Sequence, residues 1–248
     1  MDWSFQLYSA RNFQPWPNVL QTLARLGYRQ VEGYGGIYDD PAGMRAELDR
    51  NGLAMPSGHF PIDMLDRDFS NVERIARTLG IDLLVCPYLE PRDRPYDAAS
   101  WREFSRRLAS IGNRATGAGF HLAWHNHDFE FMPLSDGSVP LAHILDAAPN
   151  IGWEIDVAWT VRAGADVMDW IERHGARIMA VHVKDMAAAG HARSEDGWTD
   201  VGYGTINWPM IIKGLRNRTR ARYYVLEHDN PSDYERFARR SIEAATNF

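Results

Sequence analysis

Ionisable side chains end several short apolar runs in this sequence. They are Glu32, His59, His125, His127, Asp156, His182 and Glu227. If the runs are parallel strands that end at one rim, these side chains converge there. Carboxylates and imidazoles gathered together repel each other or stay unpaired unless a positive charge lies among them. Because a divalent cation binds such nitrogen and oxygen donors, the pattern predicts a metal site.

The period-two alternation of a strand indicates which of these side chains share a face. It places two residues of each run on one face: His125 with His127, Glu154 with Asp156, His182 with Lys184, and Glu227 with Asp229. The intervening residues, Asn126, Ile155, Val183 and His228, are expected to point away from that face.

Eight apolar runs rich in strand-forming residues could position these side chains. They cover residues 3–9, 30–34, 54–59, 83–87, 121–127, 152–157, 179–184 and 223–228. Amphipathic segments with a helical period lie between them, including a short one at residues 139–148. The series predicts an α/β fold, a single-domain (β/α)8 TIM barrel over residues 1–248. A doubly wound open sheet is the alternative, but no GxGxxG turn follows the first run.

Composition excludes several classes of function. The chain has 248 residues, 45% of them hydrophobic, and a formal charge of −6 with its basic residues scattered. We therefore expect no nucleic-acid partner. The single cysteine, Cys86, lies in an apolar run, which indicates a buried thiol rather than a disulfide. With no signal peptide and no long apolar stretch, the sequence predicts a cytoplasmic protein without membrane contact.

Several segments together carry a family resemblance. They are Gln6-Leu7-Tyr8-Ser9, Val31-Glu32-Gly33-Tyr34, Ser57-Gly58-His59, the run from Trp124 to Phe131 (WHNHDFEF), the run from Glu154 to Trp159 (EIDVAW), the run from Val181 to Met186 (VHVKDM), Gly202-Tyr203-Gly204 with Ile206-Asn207-Trp208, and Val225-Leu226-Glu227-His228. The chain resembles the sugar phosphate isomerase/epimerase superfamily of xylose isomerase-like TIM barrels. That superfamily also includes endonuclease IV, inosose dehydratases and 3-dehydroshikimate dehydratases.

The resemblance implies one divalent metal ion (Mn, Mg, Co or Zn) held by residues of strands five to eight. Asp156, His182 and Glu227 match the last three ligands of the family. The glutamate that the family has in strand five is replaced by His125, with His127 two residues later. His125 is favoured over His127 as the fourth ligand.

The same replacement affects the reaction that the resemblance implies. The family's isomerases and epimerases use two glutamates as acid and base around a metal-stabilised enediolate, and only Glu227 of that pair is present. Glu130, Lys184, His59 or a free His127 would have to take the second role. Elimination needs only one base, so a lyase or dehydratase acting on a keto-inositol or a 3-keto-glycoside is the alternative to a sugar isomerase or epimerase.

The expected partner is a small sugar. Tyr8, Glu32, His127 and Trp159 are the predicted substrate contacts, and the aromatic rings among them could instead be packing at the barrel top. Residues 185–204 form a long segment after strand seven that is either a lid or a surface insertion. Lys184 could neutralise an enolate or phosphate, or could pair with Asp185 or Glu154.

Two further hypotheses remain. One is sugar binding without turnover. The other is endonuclease IV-like DNA repair, which the acidic net charge argues against. Homo-oligomers are common among barrels of this kind, but the sequence defines no interface.

Overall fold

A computed structural model describes residues 2–248 and shows a closed parallel barrel. Its strands, in chain order, are β1 (Trp3–Gln6), β2 (Gln30–Gly33), β3 (Ala54–His59), β4 (Leu83–Cys86), β5 (His121–His125), β6 (Gly152–Asp156), β7 (Ile178–Val183), β8 (Asp185–Met186), β9 (Trp198–Thr199) and β10 (Tyr223–Leu226). Neighbours around the barrel follow the order β1-β10-β7-β6-β5-β4-β3-β2, while β8 and β9 form a separate antiparallel pair. The predicted (β/α)8 barrel is confirmed, with β10 as its eighth strand.

Helices surround the barrel. They are α1 (Trp16–Arg25), α2 (Pro41–Arg50), α3 (Ile62–Arg67), α4 (Phe69–Leu79), α5 (Ala98–Gly117), α6 (Pro140–Ala147), α7 (Val157–Arg162), α8 (Val167–His174), α9 (Trp208–Arg218) and α10 (Tyr234–Ala245). The short helix predicted at residues 139–148 is confirmed as α6. Within residues 2–248, no helix combines the length and the apolar character that crossing a membrane requires.

The junction between α4 and β4 shows how helices end at the lower rim of the barrel. Gly80 adopts a left-handed φ of 79°, and its N–H donates to the carbonyl of Ala76. A residue with a Cβ pays a steric cost in this conformation, whereas glycine does not. The chain can therefore turn from the helix into the next strand within a few residues.

The barrel lumen has an apolar part and a polar part. Leu83, Val85, Ala123 and Ala180 form a fully buried group, which we call the apolar lumen cluster. Ala123 and Ala180 each lie two residues before a histidine, His125 and His182, on the same face of their strands. The lumen is therefore packed with apolar side chains on the N-terminal side of the histidines and lined with ionisable ones at its C-terminal end.

Some predicted element boundaries are wrong, and local hydrogen bonds explain the largest error. The first predicted strand, residues 3–9, is too long, since β1 ends at Gln6 and a turn of 3-10 helix, Leu7–Ala10, follows. The Gln6 side chain accepts a hydrogen bond from the Tyr8 N–H at 3.0 Å, which turns the chain. The helix α3 and the β8–β9 hairpin lie in segments for which no element was predicted, and α7 begins at Val157, the last residue of a predicted strand.

Candidate metal centre

Four side chains converge at the C-terminal end of the barrel. Each of His125, Asp156, His182 and Glu227 offers one nitrogen or oxygen atom, and these four atoms lie within 4.8 Å of one another. His125 and Asp156 end β5 and β6, His182 is the second-last residue of β7, and Glu227 follows β10. All four side chains are buried. We call them the ligand cluster.

Asp156 shows that the ligand cluster fits a cation. Its Oδ1 accepts the Trp159 N–H at 2.8 Å and so caps α7. Its Oδ2 is buried and accepts no hydrogen bond from any residue between 2 and 248. The nearest partners of this oxygen are Lys184 Nζ at 3.6 Å and His125 Nε2 at 4.0 Å. A buried carboxylate oxygen without a hydrogen bond is costly, and a divalent cation among nitrogen and oxygen donors would satisfy it.

The histidines of the ligand cluster differ in charge. Burial, assisted by the positive charge of His182, holds the pKa of His125 well below its usual value, so His125 is neutral and can offer a lone pair. Burial alone would also lower the pKa of His182. The carboxylates of Glu154, Glu227 and Glu32 outweigh burial and raise it well above its usual value.

Glu227 connects the ligand cluster to a buried lysine. Its Oε2 lies 2.8 Å from His182 Nδ1 and 3.3 Å from Lys184 Nζ. Burial would raise the pKa of Glu227, but the positive charges of Lys184 and His182 outweigh it and keep the carboxylate ionised. Lys184 also donates to Asp229 at 2.6 Å. Its closest acidic partner is therefore Asp229, rather than the Asp185 or Glu154 that the sequence suggested.

A second layer of ionisable groups lies against the ligand cluster on β2, β3 and β6. His59 Nε2 is 2.8 Å from Glu154 Oε2 and 3.1 Å from Glu32 Oε1. Burial would lower the pKa of His59, but the two carboxylates raise it to about 9. Burial, with Glu32 nearby, raises the pKa of Glu154 to about 7. His59, His125, Glu154 and His182 form a second group whose geometry could hold an ion.

A cavity of about 620 Å³ opens over the ligand cluster. Its volume lies in the range of small-molecule sites, roughly 300–1,000 Å³. The side chains that line it include aromatic, imidazole and carboxylate groups, among them Tyr8, Tyr34, Tyr88, Trp159, His59, His125, His127, Glu90, Asp128, Glu227 and Asp229. The cavity is thus suited to a polar ligand with an apolar face.

The cavity separates the predicted site residues into two groups. Tyr8, His59, His127, Trp159 and Glu227 line it, together with His125 of the ligand cluster. Asp156 and His182 of the ligand cluster do not line it and are fully buried. The same holds for the other predicted catalytic and substrate-binding residues, Glu32, Glu130 and Lys184. The structure therefore does not bring these three to a position where they contact a ligand in the cavity.

Glu130 is engaged by hydrogen bonds at the end of β5 and in the segment that follows it. Its carboxylate accepts hydrogen bonds from Trp124 Nε1 at 3.0 Å and from the His127 N–H at 2.8 Å. Burial raises its pKa to about 8. Both contacts hold the segment after β5 in place, so Glu130 shapes the loop that carries His127.

The structure adds site residues that sequence analysis did not select. Glu154 and Asp229 share a strand face with Asp156 and Glu227, and this alternation was the available signal. Tyr88 and Arg94 enter the cavity from the segment between β4 and α5, where no motif marks them. Asn126 points away from the cavity as predicted, and its Oδ1 accepts the Asp156 N–H at 3.0 Å.

The segment of residues 185–204 packs onto the site. Trp198 of β9 is buried, and its ring centroid lies 4.9 Å from that of Trp159. Lys184 Nζ lies 4.5 Å from the Trp198 ring, and Asp196 lines the cavity. These contacts make the segment one wall of the site.

Comparisons with known proteins agree with this architecture. A curated relative is the rhizopine catabolism protein MocC of Rhizobium meliloti, 22% identical over 245 residues, which cover 86% of this chain and 74% of MocC. A sugar phosphate isomerase/epimerase from Parabacteroides distasonis superposes with a TM-score of 0.83 at 22% identity, covering 98% of this chain and 94% of the other.

Two further solved structures share the fold. The probable 3-DHS dehydratase AsbF from Bacillus anthracis has a TM-score of 0.75 at 14% identity, covering 100% of this chain and 99% of AsbF. The IolI protein, solved with a bound zinc atom, has a TM-score of 0.77 at 14% identity, covering 100% of this chain and 96% of IolI. The model of the family described as "Xylose isomerase-like TIM barrel" matches residues 20–247. The chain therefore belongs to the xylose isomerase-like TIM barrel family.

Proposed function

We propose that the protein is a divalent-metal-dependent isomerase or epimerase of a ketose or related sugar. The observation that carries this proposal is the convergence of His125, Asp156, His182 and Glu227, with an unsatisfied Asp156 oxygen among them, beneath a cavity of about 620 Å³. A bound cation (Mn, Mg, Co or Zn) would supply electrostatic stabilisation of negative charge on a substrate oxygen. The side chains around it would bind the sugar and move its proton.

Glu227 is the proposed base. It is ionised, it lines the cavity, and its Oε2 accepts a hydrogen bond from Lys184 Nζ at 3.3 Å. A carboxylate held in this way can take the proton from the carbon next to a carbonyl without moving far. Lys184 is fully buried and donates a hydrogen bond to Glu227 from outside the cavity. We propose that this contact holds the base in position and keeps it charged.

His127 is the proposed second proton carrier of an isomerisation or epimerisation. Its ring lines the cavity and lies 5.1 Å, between ring centroids, from that of His125. Its Nδ1 has no hydrogen-bond partner within the described chain. His127 is therefore freer to exchange a proton than Glu130, whose oxygens are engaged by Trp124 and by the His127 main chain.

The aromatic walls are proposed to bind the sugar. Tyr8, Tyr88 and Trp159 line the cavity and present flat apolar faces that suit the C–H face of a sugar ring. The wall formed by residues 185–204 would limit the access of water to the reacting carbon.

Metal removal and isotope exchange test the proposal. After treatment with a chelator, the protein should lose turnover of every active ketose in a keto-sugar panel, and a divalent ion should restore it. In deuterated water the active enzyme should place deuterium on the carbon next to the carbonyl. Turnover without deuterium incorporation for every active ketose would contradict proton transfer through an enediolate.

A lyase or dehydratase acting on a keto-inositol or 3-keto-glycoside is the second candidate. It is favoured by His125, which replaces a carboxylate of the acid/base pair and leaves Glu227 as the one proposed base in the ligand cluster. Release of water or an aglycone, measured with the same panel, would decide for it. Intact ligands without turnover would instead support sugar binding alone.

The type of ligand, the location in the cell and the oligomeric state remain predictions. The carboxylates in the cavity wall, Glu90, Asp128 and Asp196 among them, support a small-molecule ligand over nucleic acid and argue against endonuclease IV-like repair. A cytoplasmic location and a homo-oligomeric state remain expectations from the sequence. Size-exclusion chromatography with light scattering would measure the oligomeric state.

A further inference from the structure

The second layer of ionisable groups, Glu32, His59 and Glu154, contacts the two histidines of the ligand cluster through specific ring nitrogens. Building on the proposed metal centre, we infer that Glu154 and Glu32 are positioning residues that fix opposite tautomers of the two histidine ligands. His125 then presents Nε2 to the ion, and His182 presents Nδ1.

Glu154 determines the orientation of His125. Its Oε2 lies 3.0 Å from His125 Nδ1. A carboxylate oxygen accepts hydrogen bonds, so this contact places the proton of a neutral His125 ring on Nδ1. The lone pair is then on Nε2, the nitrogen 4.0 Å from the unsatisfied Oδ2 of Asp156. The carboxylate thus turns the free nitrogen toward the ligand cluster.

Glu32 determines the orientation of His182 in the opposite sense. Its Oε1 lies 2.7 Å from His182 Nε2 and is itself held by Gln6 Nε2 at 2.8 Å. The other ring nitrogen, Nδ1, lies 2.8 Å from Glu227, a member of the ligand cluster. With Nε2 donating to Glu32, Nδ1 is the nitrogen available to an ion. Hydrogen bonds of this kind fix the ring orientation of metal-bound histidines and raise their basicity.

His59 links the two carboxylates across the lumen. Its Nε2 lies between Glu154 Oε2, at 2.8 Å, and Glu32 Oε1, at 3.1 Å. Glu32 comes from β2 and Glu154 from β6, so one imidazole joins opposite sides of the barrel. This link explains why His59 faces the cavity without belonging to the ligand cluster.

The alternative use of these residues is a second ion site formed by His59, His125, Glu154 and His182. Such a site shares His125 and His182 with the ligand cluster. It would have to take the ring nitrogens that now contact Glu154 and Glu32. In the positioning role, His125 Nδ1 faces Glu154, and His182 Nε2 faces Glu32 at 2.7 Å and Glu154 at 3.2 Å, which predicts one ion per chain.

Histidine tautomers in the zinc-loaded wild-type protein test the inference directly. Nuclear magnetic resonance of protein with isotope-labelled histidine should show the proton on Nδ1 of His125 and on Nε2 of His182. The opposite tautomer at either ring would overturn the inference. This measurement needs no variant and does not depend on turnover.

Zinc affinity, measured by competition with a chelator, provides the second test. Glu154→Gln should weaken zinc binding by about 10–100-fold while keeping one ion per chain. Glu130→Gln is the matched control, because it changes an equally buried carboxylate that contacts no member of the ligand cluster, and its zinc affinity should be unchanged.

The inference would be overturned if Glu154→Gln bound zinc as tightly as the wild type. It would also be overturned if the wild-type chain bound two ions and the variant lost one of them. Either result would leave the proposed function standing. Failure of the wild-type chain to bind any divalent ion would overturn both. If Glu154→Gln does not fold, the tautomers of the wild-type protein still decide.

Discussion

The two parts of the barrel lumen, built by the same strands, are chemically opposite. The apolar lumen cluster contains Leu83, Val85, Ala123 and Ala180, whereas the ligand cluster begins two residues further along β5 and β7, at His125 and His182. Two residues along each strand therefore separate closely packed apolar side chains from a dense set of ionisable groups. Close packing and ionisable groups are therefore separated along the strand axis rather than assigned to different strands.

The two clusters should respond differently to substitution. Burying carboxylates costs free energy unless cations and hydrogen bonds compensate them, so we expect the ligand cluster to lower the stability of the metal-free protein. The apolar lumen cluster contributes burial of apolar surface. Substitutions in each cluster can test this separation.

The largest effect is expected at Glu227. Glu227→Gln should leave most of the metal bound and lower turnover by about 10²–10⁴-fold, because the variant loses the proposed base. Turnover and deuterium exchange on the best keto-sugar substrate would measure the loss, with metal content determined in parallel. Turnover close to that of the wild type would remove Glu227 from the proposed mechanism.

A large loss of stability is expected at Lys184. Lys184→Met should destabilise the metal-free protein by about 3–5 kcal/mol, since it leaves the buried carboxylates that Lys184 contacts without their cation. A bound divalent ion should reduce that cost. Urea unfolding with and without metal would measure both values, and equal costs in the two states would contradict compensation by the ion.

A loss of stability without a loss of metal is expected in the apolar lumen cluster. Leu83→Ala should lower the free energy of unfolding by about 2–5 kcal/mol, because it opens a cavity in a fully buried group. Met210→Ala, at a side chain that is 50% exposed, is the control and should change stability by about 0.5 kcal/mol or less. If Leu83→Ala also abolishes metal binding, the two clusters are not separable.

The smallest effect is expected at Cys86, on the outer face of β4. Burial raises the pKa of its thiol to about 12, and the thiolate is the reactive form. The native protein at pH 8 should therefore show no adduct with iodoacetamide by mass spectrometry, while the protein in urea should be fully labelled. Rapid labelling of the native protein would reveal local opening between β4 and the helices outside it.

Much of the fold could be predicted because its pattern is periodic. The eight apolar runs follow from local preferences, and so does the end of α4 at Gly80. The end of β1 could not be predicted in this way. It depends on the Gln6 side chain accepting the Tyr8 N–H, a contact that an apolar periodicity does not encode.

Part of the candidate site could also be predicted from periodicity. Alternation placed Glu154 with Asp156 and Lys184 with His182, but it did not distinguish a residue in the cavity wall from one behind it. Glu32 and Glu130 are both fully buried, although each follows or ends an apolar run as the cavity residues do. Tyr88 and Arg94 reach the cavity from a loop whose path has no sequence signature.

By itself, the sequence determined the barrel, the faces of its strands and the residue types that could bind a cation, because these depend on local periodicity and donor chemistry. Only the tertiary structure decided how deeply each side chain is buried and which side chains contact each other. Closure of the barrel brings Glu32 of β2 within 2.7 Å of His182 of β7, although 150 residues separate them in the chain. The physical reason is that strand register and tilt, which are properties of the closed sheet, determine which side chains meet across the lumen.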